Sequence, residues 1–283
     1  MPSPPRKAGD APPSRTRLPD PSPRDGARPR TVTIARVLRR TRAHLAMQAL
    51  AVLLAACGGG GDAGAEAGSG QPDRRPLAAP GTWVVLGSST AAGVGAPPGQ
   101  GWVDLLADHL AALGVAVERL ARSGLRTSQV LPAGDAVPPG RPQPVSGLNI
   151  DAALARQPVA LVLSFPSNDA ADRVPAADTV AAWQRLAALA RDAGSATIVL
   201  GTQPRTAFDA GQRAIQAETD RLASIAFGAC FVPLYGDLEG PDGGIAPAYR
   251  SSDGDHLNAA GHAQIEARLA AAVDDGRCVR LVP

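Results

Sequence analysis

The sequence predicts an α/β protein, a five-stranded parallel sheet with helices packed on both faces. Short apolar runs alternate with longer segments of helical periodicity from residue 82 onward. One run, Val159 to Phe165, is apolar except for Ser164, as expected of a strand covered on both sides. The strand–helix alternation continues to the end of the chain without an internal repeat, which favours one parallel sheet.

The elements follow in order. Thr82-Trp83-Val84-Val85-Leu86, ending in Gly87, reads as the first strand. Residues 101–113 carry Trp102, Val103, Leu105, Leu106, Leu110 and Leu113 at helical spacing. Val115 to Leu120 is a second strand, and residues 150–157 a short helix. Val159 to Phe165 is the third strand, 177–193 a helix, and Ala196 to Leu200 the fourth strand. Residues 207–225 read as a helix, Ala226 to Leu234 as holding the fifth strand, and 258–273 as the last helix. Ligands of such sheets bind at the carboxyl ends of the strands. The loops after the first three strands, and the loop before the last helix, are therefore expected to converge.

The chain of 283 residues is expected to divide into four parts. Residues 1–36, rich in Pro, Arg, Ser and Asp, have too few apolar positions to offset their ordering entropy. They read as a disordered extension, or as sequence upstream of a true start near Val37 or Leu38. Residues 37–57 read as a signal peptide: Arg39, Arg40 and Arg42 precede an apolar run from Ala43 to Ala56, broken only by His44 and Gln48. That run falls short of the roughly 20 residues a membrane-spanning helix needs. It ends in Leu54-Ala55-Ala56-Cys57, which resembles a bacterial lipobox, so Cys57 is the expected lipidation site. An ordinary cleaved signal is the alternative. Residues 58–80, opening with Gly58 to Gly61, read as a flexible linker, and 81–283 as the folded domain.

A net charge of +2, with many of the arginines in the N-terminal part, leaves no basic face for nucleic acid. No Cys/His spacing resembles a metal site. Cys230 and Cys278 could form a disulfide in an oxidising compartment, or remain buried thiols.

Four segments could carry chemistry. Gly87-Ser88-Ser89-Thr90-Ala91-Ala92-Gly93 is a small, hydroxyl-rich turn that can present a serine at a following helix N-terminus. Gly124, in Ala121-Arg122-Ser123-Gly124, lets the backbone approach a ligand. Asn168, just past the third strand, can offer a side-chain amide to a developing oxyanion. Asp253, three residues before His256, can orient its imidazole. Read one at a time, each segment also suits a helix cap or plain turn.

Taken together and in this order, the segments resemble the SGNH/GDSL hydrolase family over roughly residues 82–273. The stretch Val84 to Gly93 resembles the family's Gly-Asp-Ser segment, with Ser89 as nucleophile. Gly124, Asn168 and the Asp253/His256 pair match its later motifs. The resemblance implies a three-layer α/β/α sandwich with a flavodoxin-like five-stranded parallel sheet. It implies a triad of Ser89, Asp253 and His256, and an oxyanion hole of the Ser89 and Gly124 N–H groups with the Asn168 side chain. Asp255 is the alternative orienter. Two departures stand out: Ser88 replaces the family's Asp, and Pro166 replaces a Gly two places before the Asn.

The expected activity is acyl-ester hydrolysis without cofactor or metal. The substrates the family allows are small acyl esters, lipids (lipase-, lysophospholipase- or arylesterase-like activity) or acetylated glycans. A binding lipoprotein using the same cleft, and an O-acyltransferase, are the alternatives. The Pro138 to Pro144 segment is expected at the pocket rim as a stiff loop. The protein is expected to be exported as a periplasmic or outer-membrane-anchored lipoprotein. It is expected to be monomeric, touching the membrane only through its lipid.

Overall fold

The computed structural model describes residues 75–78 and 81–282. The expected signal peptide, Cys57 and most of the linker lie outside the described residues.

Five strands form the sheet: β2 (Gly81–Gly87), β3 (Val115–Ala121), β4 (Ala160–Ser164), β5 (Ala196–Leu200) and β6 (Phe231–Val232). Their spatial order is β3-β2-β4-β5-β6, and every pairing is parallel. Chain order reverses at β2, which lies between β3 and β4, so the crevice above β2 is where such a sheet receives ligands. The predicted three-layer architecture is the observed one.

Residues 83–86 of β2 are completely buried, and they face alternate sides because strand side chains alternate. Trp83 and Val85 join a core with Trp102, Leu106 and Leu110 of α1 (Trp102–Ala111) and Ile265, Leu269 and Val273 of α7 (Ala259–Asp274). Val84 and Leu86 join the opposite core, with Ile150 of α2 (Ile150–Leu154), Trp183 and Leu186 of α4 (Ala176–Asp192) and Ala223 of α5 (Ala210–Phe227). Burying each such aliphatic side chain stabilises the fold by roughly 1.5–3 kcal/mol before entropy is counted.

The fifth strand lies within the predicted run but is short. Of Ala226 to Leu234, α5 takes the residues to Phe227, a 3-10 turn covers Gly228–Cys230, and only Phe231–Val232 pair with β5. Gly228 ends the helix at φ 51°, a conformation that suits glycine. Cys230 therefore lies on a turn, where it forms a disulfide with Cys278 and closes 48 residues of chain.

The sequence held no clear signal for the one-turn helices α3 (Asn168–Ala171) and α6 (Tyr235–Leu238), for the 3-10 turn Thr127–Val130, or for a separate parallel ladder between β1 (Arg75–Ala78) and β7 (Val279–Val282). β1 falls within the stretch expected to be linker, and its Pro76 suits only a strand with a free edge.

Helix α5 also braces the loops above the sheet. Its Gln216, completely buried, donates from Nε2 to the carbonyls of Pro166 (3.0 Å) and Gln203 (2.6 Å). Its Asp220 accepts the Thr202 N–H at 2.8 Å. Burial pushes the Asp220 carboxyl up to about 6 from its ordinary 3.8. A raised carboxylate stabilises the fold fully below its unfolded value, and that contribution is lost as pH rises through about 6. Asp220→Asn, which keeps an acceptor for Thr202, is expected to gain on the order of 1–2 kcal/mol at pH 8 and nothing at pH 4. Urea unfolding at the two pH values checks this.

Candidate active site

The loop after β2 carries Ser89, which is 8% exposed. Sequence reasoning placed Ser89 at a helix N-terminus, but it sits on a run of tight turns, and the next helix begins at Trp102. The turn is held by its own backbone: Ser88 N–H donates to Ser164 O (3.1 Å), Ala92 N–H to Ser88 O (2.9 Å) and Val94 N–H to Ser89 O (3.0 Å). A Cβ on Gly87 would lie 2.4 Å from Ala91 Cβ and 2.9 Å from Ser164 O, so only glycine lets the turn fold this closely onto the sheet. Ser88 Oγ is buried without a hydrogen-bond partner. The loop therefore gains nothing from the hydroxyl that stands where the family has Asp.

Its support comes from elsewhere. Thr90 Oγ1 donates to Gln203 Oε1 (2.9 Å), on the loop after β5. His262 of α7 is completely buried, and its Nδ1 accepts the Trp102 N–H at 3.3 Å. A backbone N–H can only donate, so the imidazole proton belongs on Nε2, which meets Val94 O at 3.1 Å. Burial lowers the His262 pKa and favours this neutral form. His262 and Gln203 escaped sequence analysis because a lone His on an apolar helix face and a Gln before Pro204 have no distinguishing pattern.

The loops after β3 and β4 are laced together. Gly124 adopts φ 81°, a left-handed conformation suited to glycine. Asn168 Nδ2 donates to Leu125 O at 2.8 Å, which fixes the amide and leaves its second N–H available. Asn168 is the first residue of α3 and does not cap it. Asp169, 5% exposed, accepts from Thr127 N–H (3.1 Å) and Thr127 Oγ1 (2.8 Å). Thr127 Oγ1 in turn accepts Trp183 Nε1 at 3.1 Å. Arg126 reaches Gly124 O (2.7 Å) and Asp172 (Nη2 to Oδ1, 3.0 Å). Pro166, the second departure, lacks an N–H but uses its carbonyl to accept from Gln203 N (3.3 Å) and Gln216. Among the described residues, neither the Ser89 N–H nor the Gly124 N–H has an acceptor.

The last segment brings an imidazole. His256 Nδ1 lies 2.7 Å from Asp253 Oδ2. Asp253 Oδ1 accepts from Ser251 Oγ (2.6 Å) and from the N–H groups of Asp255 and His256 (2.9 Å each). The Ser251 hydroxyl, with the imidazole and these N–H groups, holds the Asp253 carboxyl well below the usual carboxylate range. Asp255 points elsewhere and pairs with Arg205 Nη2 at 2.7 Å.

These side chains meet in one cleft of about 210 Å³, lined by Ser89, Ser123, Gly124, Ser167, Asn168, Gln203, Arg205, Asp255 and His256. Ser89, Gly124, Asn168 and His256 are together as the topology predicted, and the loop after β5 joins them. Asp253 stands behind His256, outside the cleft lining. The proline loop does not form the rim: Pro138 and Arg141 border a separate cavity of about 70 Å³ with Thr127 and Asp169. A larger hollow of about 490 Å³, beside the disulfide at the amino ends of the strands, offers no His or carboxylate.

A hydroxyl, an imidazole backed by a carboxylate, and two unpaired N–H groups beside a fixed amide are the parts of an acyl-transfer site. The GDSL-like Lipase/Acylhydrolase family model matches residues 85–264, and the chain belongs to that family of ester-hydrolysing enzymes. Solved structures share the fold. TesA is 21% identical, with 69% of this chain and 99% of that chain covered and a TM-score of 0.52. The psychrotrophic esterase EstA from Pseudoalteromonas sp. is 17% identical, with 69% and 97% covered and a TM-score of 0.52. The lipase Lip_vut3 from a goat rumen metagenome is 16% identical, with 68% and 96% covered and a TM-score of 0.54. No curated protein sequence matches the chain.

Gly95 sets the spacing between the serine turn and the histidine loop. It adopts φ 96°, and a Cβ there would lie 2.2 Å from Leu257 O and 3.0 Å from His256 Cβ. Gly95→Ala is expected to cost at least about 2 kcal/mol of stability and to lower kcat more than about tenfold by spreading the two loops. Chemical denaturation and ester-hydrolysis kinetics check the two effects.

Proposed function

We propose that the protein is a serine esterase in which Ser89 attacks the ester carbonyl and His256, oriented by Asp253, takes its proton. The observation that carries this reading is the 2.7 Å contact between His256 Nδ1 and Asp253 Oδ2, with His256 and Ser89 lining one cleft. With Nδ1–H engaged by the carboxylate, Nε2 is the free base. As the tetrahedral intermediate forms, negative charge builds on the carbonyl oxygen. The Ser89 and Gly124 N–H groups and the second N–H of Asn168 receive it, all held before the reaction starts. His256 then protonates the leaving alcohol, and water releases the acyl group with the roles reversed.

p-Nitrophenyl acetate hydrolysis is expected from the purified protein. Ser89→Ala abolishes it, and Asp253→Asn lowers kcat by roughly 10²–10⁴-fold. Absence of turnover in a folded wild-type protein would move the weight to a ligand-binding role for the cleft.

We also propose that the protein is exported and lipid-anchored through Cys57. The basic cluster, apolar run and lipobox-like Leu54-Ala55-Ala56-Cys57 support this. The Cys230–Cys278 disulfide is consistent with an oxidising compartment. Labelled palmitate is expected in the wild-type protein of a bacterial host and not in Cys57→Ser.

A further inference from the structure

The triad and oxyanion donors use Ser89, Gly124, Asn168, Asp253 and His256. Five other residues line the cleft, Ser123, Ser167, Gln203, Arg205 and Asp255, and two of them, Gln203 and Arg205, sit on the loop after β5. Gln203 is the more informative. It is 1% exposed, yet it lines the cleft. Its backbone is fixed on both sides: the N–H donates to Pro166 O and the carbonyl accepts Gln216 Nε2. Its side-chain oxygen is occupied by the Thr90 hydroxyl at 2.9 Å. With Oε1 turned to Thr90, Nε2 is turned away from it, and among the described residues Nε2 has no acceptor. The nitrogen is not one of the fully buried unpaired atoms, so it is open to the cleft, where a ligand oxygen can accept from it.

The topology says which half of an ester would bring that oxygen. Gly124's loop lies on the β3 side of Ser89, and Gln203's loop on the β4–β5 side. The leaving alcohol must sit beside His256 to receive its proton. The histidine segment is joined to the loop after β5 by the Asp255–Arg205 pair. The alcohol half therefore lies against Gln203 and Arg205.

The rest of the lining narrows the chemistry. Every residue around the cleft is polar or glycine, so no apolar wall is present to take a long acyl chain. The one lining cation, Arg205, is neutralised by Asp255 and stacks 5.2 Å from the Phe208 ring centroid. It is not a free charge for a phosphate or carboxylate headgroup.

We propose that Gln203 is a specificity-determining residue. Its amide N–H donates to an oxygen of the alcohol half, and the site takes short-acyl esters of hydroxyl-rich alcohols. This rests on the esterase reading above.

The test compares kcat/KM for 6-O-acetylglucose with that for ethyl acetate, which carries the same acyl group on an alcohol without further oxygens. The wild-type ratio is expected to exceed about ten, because a site built to hydrogen-bond a substrate rejects the analogue lacking the partner. Gln203→Leu is expected to lower that ratio at least tenfold. Gln203→Glu keeps an acceptor for Thr90 but removes the donor, and is expected to lower the ratio likewise. A wild-type ratio near one, or a folded Gln203→Glu enzyme with the wild-type ratio, overturns the proposal while the esterase reading stands. Loss of Ser89-dependent p-nitrophenyl acetate turnover removes both.

Discussion

Ser89 and Gly124 line the cleft, and among the described residues their N–H groups have no acceptor, while most polar groups around them are paired. Gly124 is exposed but Ser89 is buried; leaving a buried donor unpaired costs free energy, and loops with that freedom ordinarily relax until it is satisfied. Here relaxation is blocked. Gly87 presses the serine turn onto the sheet, and Asn168, Asp169 and Arg126 tie the glycine loop to the one after β4. These open donors persist because their surroundings are over-determined, and that is how polar preorganisation is stored in a folded protein.

The same economy explains how the molecule tolerates its two departures from the family pattern. An Asp before the serine would stand at a buried position where Ser88 Oγ now finds no partner. The turn instead relies on Thr90 and on the neutral His262, which accepts from one backbone group and meets another carbonyl. At Pro166, a lost N–H is offset by a carbonyl that accepts two hydrogen bonds. Support for the site comes from the neighbouring loop and from helices α5 and α7.

Much of this was legible in the sequence because the strongest signals are local. The apolar run around Trp83 to Leu86, the polar residues that follow each strand, and the Asp-x-x-His spacing are each contained within a few neighbouring residues. The missed features depend on distant partners. β1 pairs with β7 across two hundred positions of chain, and four residues containing a proline do not announce a strand. The run from Ala226 to Leu234 holds the fifth strand, but its bounds were not legible, because apolar residues at a helix end, a turn and a two-residue strand look alike until Gly228 is placed at φ 51°. Gln203 and His262 matter through the Thr90 hydroxyl and the Trp102 backbone N–H, 113 and 160 positions away, and no spacing rule reaches that far.

The disulfide has a mechanical side. Cys278 stands directly before β7, β7 pairs with β1, and Cys230 stands directly before β6. A pull on the chain ahead of Arg75 would be shared between β2, two residues beyond β1, and, through the β1–β7 ladder and the covalent bond, β6. Both routes enter the sheet at its amino ends. A protein tugged by its leading segment would spread the load over a central and an edge strand, with the loops that line the cleft at the opposite, carboxyl ends of the strands.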